Sequence, residues 1–267
     1  MKRITLITLG LSIAACTASS PSSSTTSPAT AADYEDTAQT IASATVTGGN
    51  GGIGFGDVLV FGDAVSIARG HLPLGFLHDG DGHFRGSRMG VGHDFTVTCK
   101  DAAGMVQAAC DDKTDSATVT VKLTGSLQTP NFSSSIDREG NLTITGLQGA
   151  TATFDGDSSF SFDTTLMSVF HPGVTSSFMF DATASYKAIT ITTADRTITG
   201  GSASFEVKAH RAVTGTGSGS GSNHDVDKSF DVKADLTFNA DQTATLVLDG
   251  TQTFKIDLKT GKITKGM

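Results

Sequence analysis

From Phe95 to the C-terminus the chain repeats with a period of two. Phe230, Val232, Ala234, Leu236 and Phe238 alternate with Asp231, Lys233, Asp235 and Thr237. Successive side chains on a β-strand point to opposite faces, so this pattern describes a strand with one dry face and one wet face. On a helix the same residues would scatter around the circumference. The chain turns over residues 239–242 and returns through Ala244, Leu246 and Leu248. Asp249-Gly250 is a strong hairpin signal, and the next strand presents Phe254, Ile256 and Leu258 before Thr260-Gly261 turns it into Ile263.

The same grammar holds upstream. Val119, Val121 and Leu123 alternate with Thr and Lys, and a turn is expected over 137–141, ahead of Leu142 and Ile144. Phe160 with Phe162, Phe178 with Phe180, and Ile189 with Ile191 mark further strands, with Thr filling much of the polar face. About ten short-linked strands predict a mainly β fold, an antiparallel meander curled into a barrel, a half-barrel or a two-layer sheet. With 16 Phe against 2 Tyr and no Trp, its concave face should be dry and lined by Phe. One internal echo pairs 205–209 (FEVKA) with 230–234 (FDVKA), and 194–197 (ADRT) with 240–243 (ADQT). The two copies run in opposite order around the loop 214–225. A solenoid repeat would keep one order, so the echo reads as shared strand and turn chemistry, with the two strands pairing across that loop.

Ahead of the strands lie two helical patterns. Tyr34, Ala38, Ile41 and Ala42 share one face of a short surface helix over 33–45, with Asp33 as its cap. Val58, Phe61, Val65 and Ala68 share a face over 57–69, with Asp57 as cap and Gly70 beyond the end. Residues 48–56 and 70–92, both rich in Gly, read as loops.

The first residues carry an export pattern. Lys2 and Arg3 precede an apolar run over 4–15, too short for the roughly 20 residues a membrane-spanning helix needs but suited to the core of a signal peptide. Leu11-Ser12-Ile13-Ala14-Ala15-Cys16 resembles the lipobox of bacterial lipoproteins. That resemblance implies acylation of the Cys16 thiol and cleavage before it, and Thr17 in the next position implies an outer-membrane address. Residues 17–32, almost wholly Ser, Thr, Ala and Pro, cannot bury enough surface to offset their ordering entropy and read as a tether. The expected organisation is therefore a signal peptide over 1–15, a lipidated Cys and tether over 16–32, and one mainly β domain over 33–267. Within that domain, 33–92 is a helical, Gly-rich lead-in and 93–267 the antiparallel strands. The net charge of −8 becomes more negative once Lys2 and Arg3 leave. No basic run points to nucleic acid. Cys99 and Cys110 remain as an even pair in an oxidising compartment, flanking a short loop, and are expected to form a structural disulfide.

Candidate chemistry is sparse. His71, His78, His83 and His93 fall close together with Asp79, Asp81 and Asp94. The run His78-Asp79-Gly80-Asp81-Gly82-His83 offers imidazoles and carboxylates suited to a divalent cation, yet it matches neither HExxH nor an EF-hand. Residues 49–54 fit the bare GxGxxG pattern without the βαβ unit a nucleotide site needs. There is no GxSxG elbow, and His171, His210 and His224 have no paired acid pattern. No cofactor is implied.

Three readings of function follow. The first is a non-enzymatic envelope lipoprotein that binds protein or glycan, or is structural, and meets the membrane through its N-terminal lipid. The second is a carrier of lipid or another apolar ligand on a Phe-lined concave sheet, which resembles in architecture the open barrels of lipoprotein-sorting factors. The third is a metal-dependent hydrolase using His78, Asp79, Asp81 and His83 in the loop 71–94.

Overall fold

The structure is a computed structural model describing residues 26–46, 56–88, 90–167, 173–215 and 226–266. The expected signal peptide, Cys16, most of the tether, the Gly-rich run 48–55, the loop 216–225, His171 and His224 lie outside those residues.

Twelve strands follow one another in chain order across a single antiparallel sheet. They are β1 (Phe76–His78), β2 (His83–Arg88), β3 (Val91–Lys100), β4 (Ser116–Thr129), β5 (Phe132–Thr145), β6 (Thr151–Met167), β7 (Thr175–Thr192), β8 (Ile198–Thr214), β9 (Val226–Phe238), β10 (Thr243–Leu248), β11 (Gln252–Asp257) and β12 (Ile263–Lys265). The expected meander is present, and the sheet is not closed.

Two helices precede it, α1 (Ala31–Thr45) and α2 (Asp57–Ala68). Helix α2 packs on β3 and β4, and α1 on β10, β11 and β12. Between them Phe61 of α2 meets Phe154 of β6 at 4.9 Å and Tyr186 of β7 at 5.3 Å. The helices thus touch both flanks and the middle of one face, around which the sheet curls. Nearly every residue of α2 is buried, whereas α1 buries one face through Ala38, Ile41 and Ala42.

Several boundaries differ from expectation for physical reasons. Thr30, not Asp33, caps α1. The Thr30 hydroxyl accepts from the Asp33 N–H at 3.4 Å, and Asp33 Oδ2 accepts from the Thr30 N–H at 2.7 Å, a capping box. Thr26 bridges to Ser229 of β9, so ordered chain begins ahead of the expected boundary at 33. Asp57 lies inside the first turn of α2, and Gly56 holds the cap position. Residues 70–92 contain β1 and β2, whose half-exposed sequences have no clean alternation and are ordered through backbone pairing to β3. The turn expected over 137–141 is instead the middle of β5, and the chain reverses at Pro130-Asn131. Gly140 lies within the strand because its inner face is crowded. A Cβ there would come within 3.1 Å of Ser158 Cβ and 3.2 Å of Val121 Cγ1.

The internal echo is a pairing code. In β8 and β9, Phe205 lies opposite Ala234, Glu206 opposite Lys233 and Lys208 opposite Asp231. FEVKA run antiparallel against FDVKA sets opposite charges across the wet face.

Cys99 on β3 and Cys110 form the expected disulfide, closing a loop of sequence separation 11. A loop of that size restricts the unfolded chain by about 2–3 kcal/mol. Reduction should lower the melting temperature by roughly 5–10 °C while leaving amides of β9 to β11 protected from hydrogen exchange. An unchanged melting temperature under reductant would show that the bridge carries no stability.

Candidate functional site

The His and Asp side chains of residues 71–94 are dispersed. Asp79 and Asp94 both bond Arg85, each at 2.9 Å, so a guanidinium already occupies the space between these two carboxylates. His83 Nδ1 lies 3.2 Å from the Thr96 hydroxyl. Asp81 holds φ 46° in the β1–β2 turn, a position that short polar side chains tolerate. His78 stacks on Phe84 at 4.7 Å. Among the described residues no three His, Cys, Asp or Glu groups come close enough to hold a metal ion.

What the region does build is a cleft of about 450 Å3 at the disulfide end of the sheet. One wall is the end of α2 with His71 and Leu72, another the β1–β2 turn with His78, and a third the disulfide loop with Val106. Its shape depends on Gly70, which ends α2 at φ 76° and lies so close to the loop that a Cβ would sit 2.9 Å from the Cys110 carbonyl oxygen. The loop is itself braced. Asp101 Oδ1 accepts from the N–H groups of Ala103 and Met105, and the Thr114 hydroxyl donates to Gln107 Oε1 at 2.7 Å. The imidazoles of His71 and His78 have no hydrogen-bond partner among the described residues. Leu72 and Val106 line the cleft, and both are at least half exposed. The site is therefore a preformed recess with an apolar rim and a few polar groups, the usual form of a ligand site.

A second polar cluster sits deep in the fold. Arg138 on β5 forms an ion pair with Asp57 of α2 and donates to the Tyr186 hydroxyl at 2.9 Å. That hydroxyl in turn donates to Asp57 Oδ1 at 2.9 Å and lies 3.1 Å from Ser158 Oγ. All four residues are buried. Burial alone would lower the Arg138 pKa, but the Asp57 carboxylate holds it raised. Burial raises that of the Tyr186 phenol, which stays protonated. Asp57 lies at the N-terminus of α2, where the helix dipole favours a carboxylate. The neighbouring cavity, about 20 Å3 and lined in part by Phe160 and Phe180, has room for one water. The cluster joins α2 to the sheet. Its signal in the sequence was phase: Arg138 falls in register with Ile136, Leu142 and Ile144 on the dry face of β5. Replacing Arg138 with Met should cost about 3–5 kcal/mol in urea unfolding, because Asp57 would be left charged and buried. The double change Asp57→Asn with Arg138→Met should recover much of that loss.

His93 departs furthest from its expected role. It lies on the dry face of β3, 2 % exposed, beside Phe76 and Phe95. Neither ring nitrogen has a partner among the described residues. Burial, reinforced by the charge of Arg88, lowers its pKa to about 4. Unfolded, a histidine titrates near 6.5, so the neutral form that the fold requires is fully populated above that pH. Stability should fall as pH drops from 6.5 towards 4, by on the order of 3 kcal/mol. His93→Leu should flatten this dependence, and an equally steep loss in that variant would place its origin elsewhere.

No family model matches the chain, and no curated protein or solved structure matches it either.

Proposed function

We propose that the protein is a membrane-anchored lipoprotein of the cell envelope, addressed to the outer membrane, whose folded part is a non-enzymatic binding module. The observation that carries the binding role is the cleft beside the disulfide loop, with about 450 Å3 of space and an exposed apolar rim. Its size and mixed lining suit a small ligand with an apolar body and a polar end, or a protruding group of an envelope protein or glycan. The anchor rests on the lipobox pattern ending at Cys16 and the Ser/Thr-rich run after it. No helix among the described residues is long and apolar enough to cross a membrane.

The other readings have less support. A carrier needs a continuous apolar cavity of about 300 Å3 or more. Helices α1 and α2 cover one face of the sheet, and the recess beside Phe160 and Phe180 is about 20 Å3. A recess of about 410 Å3 on the wet face is lined by Asp137, Asp181, Glu206 and Lys208 beside Phe160, not by a continuous apolar wall. A hydrolase needs ligands that converge, and the candidates His78, Asp79, Asp81 and His83 do not.

Two measurements test the proposal. Cys16→Ala should move the protein from the membrane fraction to the soluble envelope fraction; a mutant that stays with membranes would refute the anchor. Native mass spectrometry of that soluble form, purified without added metal, should show an organic mass excess that Val106→Asp abolishes. An excess equal to one metal ion, lost on His78→Ala, would instead restore the hydrolase.

A further inference from the structure

The exposed large apolar residues form two groups. One rims the cleft. The other, Leu127, Leu166, Met167, Met179 and Val226, lies at the opposite end of the sheet, where the hairpins β4–β5, β6–β7 and β8–β9 run on past their shorter neighbours. Strand register places these residues in rows. Met167, Thr175 and Thr214 pair at the very end, and Thr129, Phe132, Leu166, Ser176, Val213 and Val226 form the next row, which spans β4 to β9. Two rows further in lie Leu127, Ser134, Thr164 and Phe178, and the row beyond holds Met179 opposite Asp163. The ends of strands β4 to β7 are uncharged on both faces: no Asp, Glu, Lys or Arg occurs in 123–129, 132–136, 164–167 or 175–180. Elsewhere the outer faces of the same strands carry charges such as Lys122, Asp157 and Lys187. Three rows at about 3.3 Å each make an uncharged band about 10 Å deep.

The N-terminal segment meets the fold at this end too. Ser27 donates its N–H to the Ser229 carbonyl at 2.9 Å, in the row of Asp163 and Met179. The run 17–25 that joins Thr26 to Cys16 can reach at most about 35 Å. The third hairpin has charges, and its cations are engaged: Arg211 pairs with Asp36 and Lys228 with Asp33 at 2.6 Å. Asp227 is 82 % exposed and belongs on the water side of any apolar boundary.

We infer that the uncharged ends of strands β4 to β7 dock on the surface of the lipid bilayer that holds the acylated Cys16. The band is as deep as the interfacial zone that takes up apolar side chains, about 5–10 Å. Its Ser and Thr hydroxyls can bond headgroups while Leu127, Leu166 and Met167 enter the acyl boundary. One acyl attachment alone leaves the domain free to swing on its tether; a second contact fixes its orientation. Docked in this way, the domain holds the cleft at its far end, open to partners. The inference rests on the anchored-lipoprotein reading.

The chain has no Trp, so one introduced Trp is a clean reporter. Full-length protein carrying Leu166→Trp or Met167→Trp, and a control carrying Val106→Trp in the disulfide loop, would be reconstituted into phosphatidylcholine/phosphatidylglycerol vesicles with brominated acyl chains. Flotation reports the anchor and bromine quenching reports the docking. Floating protein whose hairpin-end Trp is blue-shifted and quenched at least about threefold more than the control supports the inference. Floating protein with equal quenching at both ends overturns the docking and leaves the anchor standing. A blue shift without bromine quenching means that another protein surface covers this end, which also overturns it. Unmodified protein that does not float overturns the anchored reading and the docking with it.

Discussion

A sheet with one apolar face needs something to bury that face against, and in this chain the partner is α2. The helix is buried on almost every side, so it is stable only inside a curved sheet, and the sheet can curl only because α2 fills the bend. Phe61 sets the depth of the contact through Phe154 and Tyr186. Apolar contact alone would allow the helix to slide or rotate. The ion pair of Asp57 with Arg138, completed by Tyr186 and Ser158, permits one placement. Such a buried pair adds little net stability because both ions lose their water. Its effect is to make every other position of α2 costly, since any slip would strand two charges in the core.

Helix α1 is fixed differently. Its acidic first turn faces the cations on the ends of β8 and β9, so Asp33 meets Lys228 and Asp36 meets Arg211. Burial alone would raise the Asp33 pKa, but bonds from Lys228 and Thr30 hold it below the usual carboxylate range. Tyr34 adds a bond to Asp249 in the β10–β11 turn. These ties lie near the rim of the sheet and leave the helix with a solvent face. The two helices thus do unlike work. One is the core, and the other closes the flank that β10 to β12 are too short to cover.

What could be read from the sequence was whatever period two or turn chemistry expresses. Strands β8 to β11 were legible because charged residues, or Thr in β10, alternate with Phe, Val, Ala, Ile and Leu. The turns at 194–197 and 240–243 share a spelling because they share a geometry. Arg196 and Gln242 hold φ 58° and 63°, and Asp195 and Asp241 each accept from an N–H two residues on. The β1–β2 hairpin was not legible, because edge strands ordered by backbone pairing need no apolar stripe. Gly140 and Asn141 looked like a turn, yet Gly140 is there for lack of space. His93 was grouped with its loop neighbours by proximity in sequence, although it falls in phase with Val91, Phe95 and Val97 on the dry face of β3. Arg138 carried the same clue in its phase. The cleft had no local signal, because its walls come from an α2 end, a hairpin turn and a disulfide loop that meet only in the fold.

The molecule is also polar from end to end, and strand length is the cause. Where strands lie over the helices, their inner residues are fully buried and their outer residues are free to be charged. Past the helices, among the described residues, the inner residues of β6 and β7 pack on one another. Phe160, Phe162, Phe178 and Phe180 form a chain of ring contacts at 5.8–6.4 Å that continues the core towards the hairpin ends. If water were the only neighbour of those ends, charge on the outer face would cost nothing and would guard against association. The chain instead removes charge from both faces at the ends of β4 to β7 and keeps it on β8–β9, where α1 is there to pair with it. That distribution is what the docking inferred above would require of a surface resting on an apolar boundary at one corner.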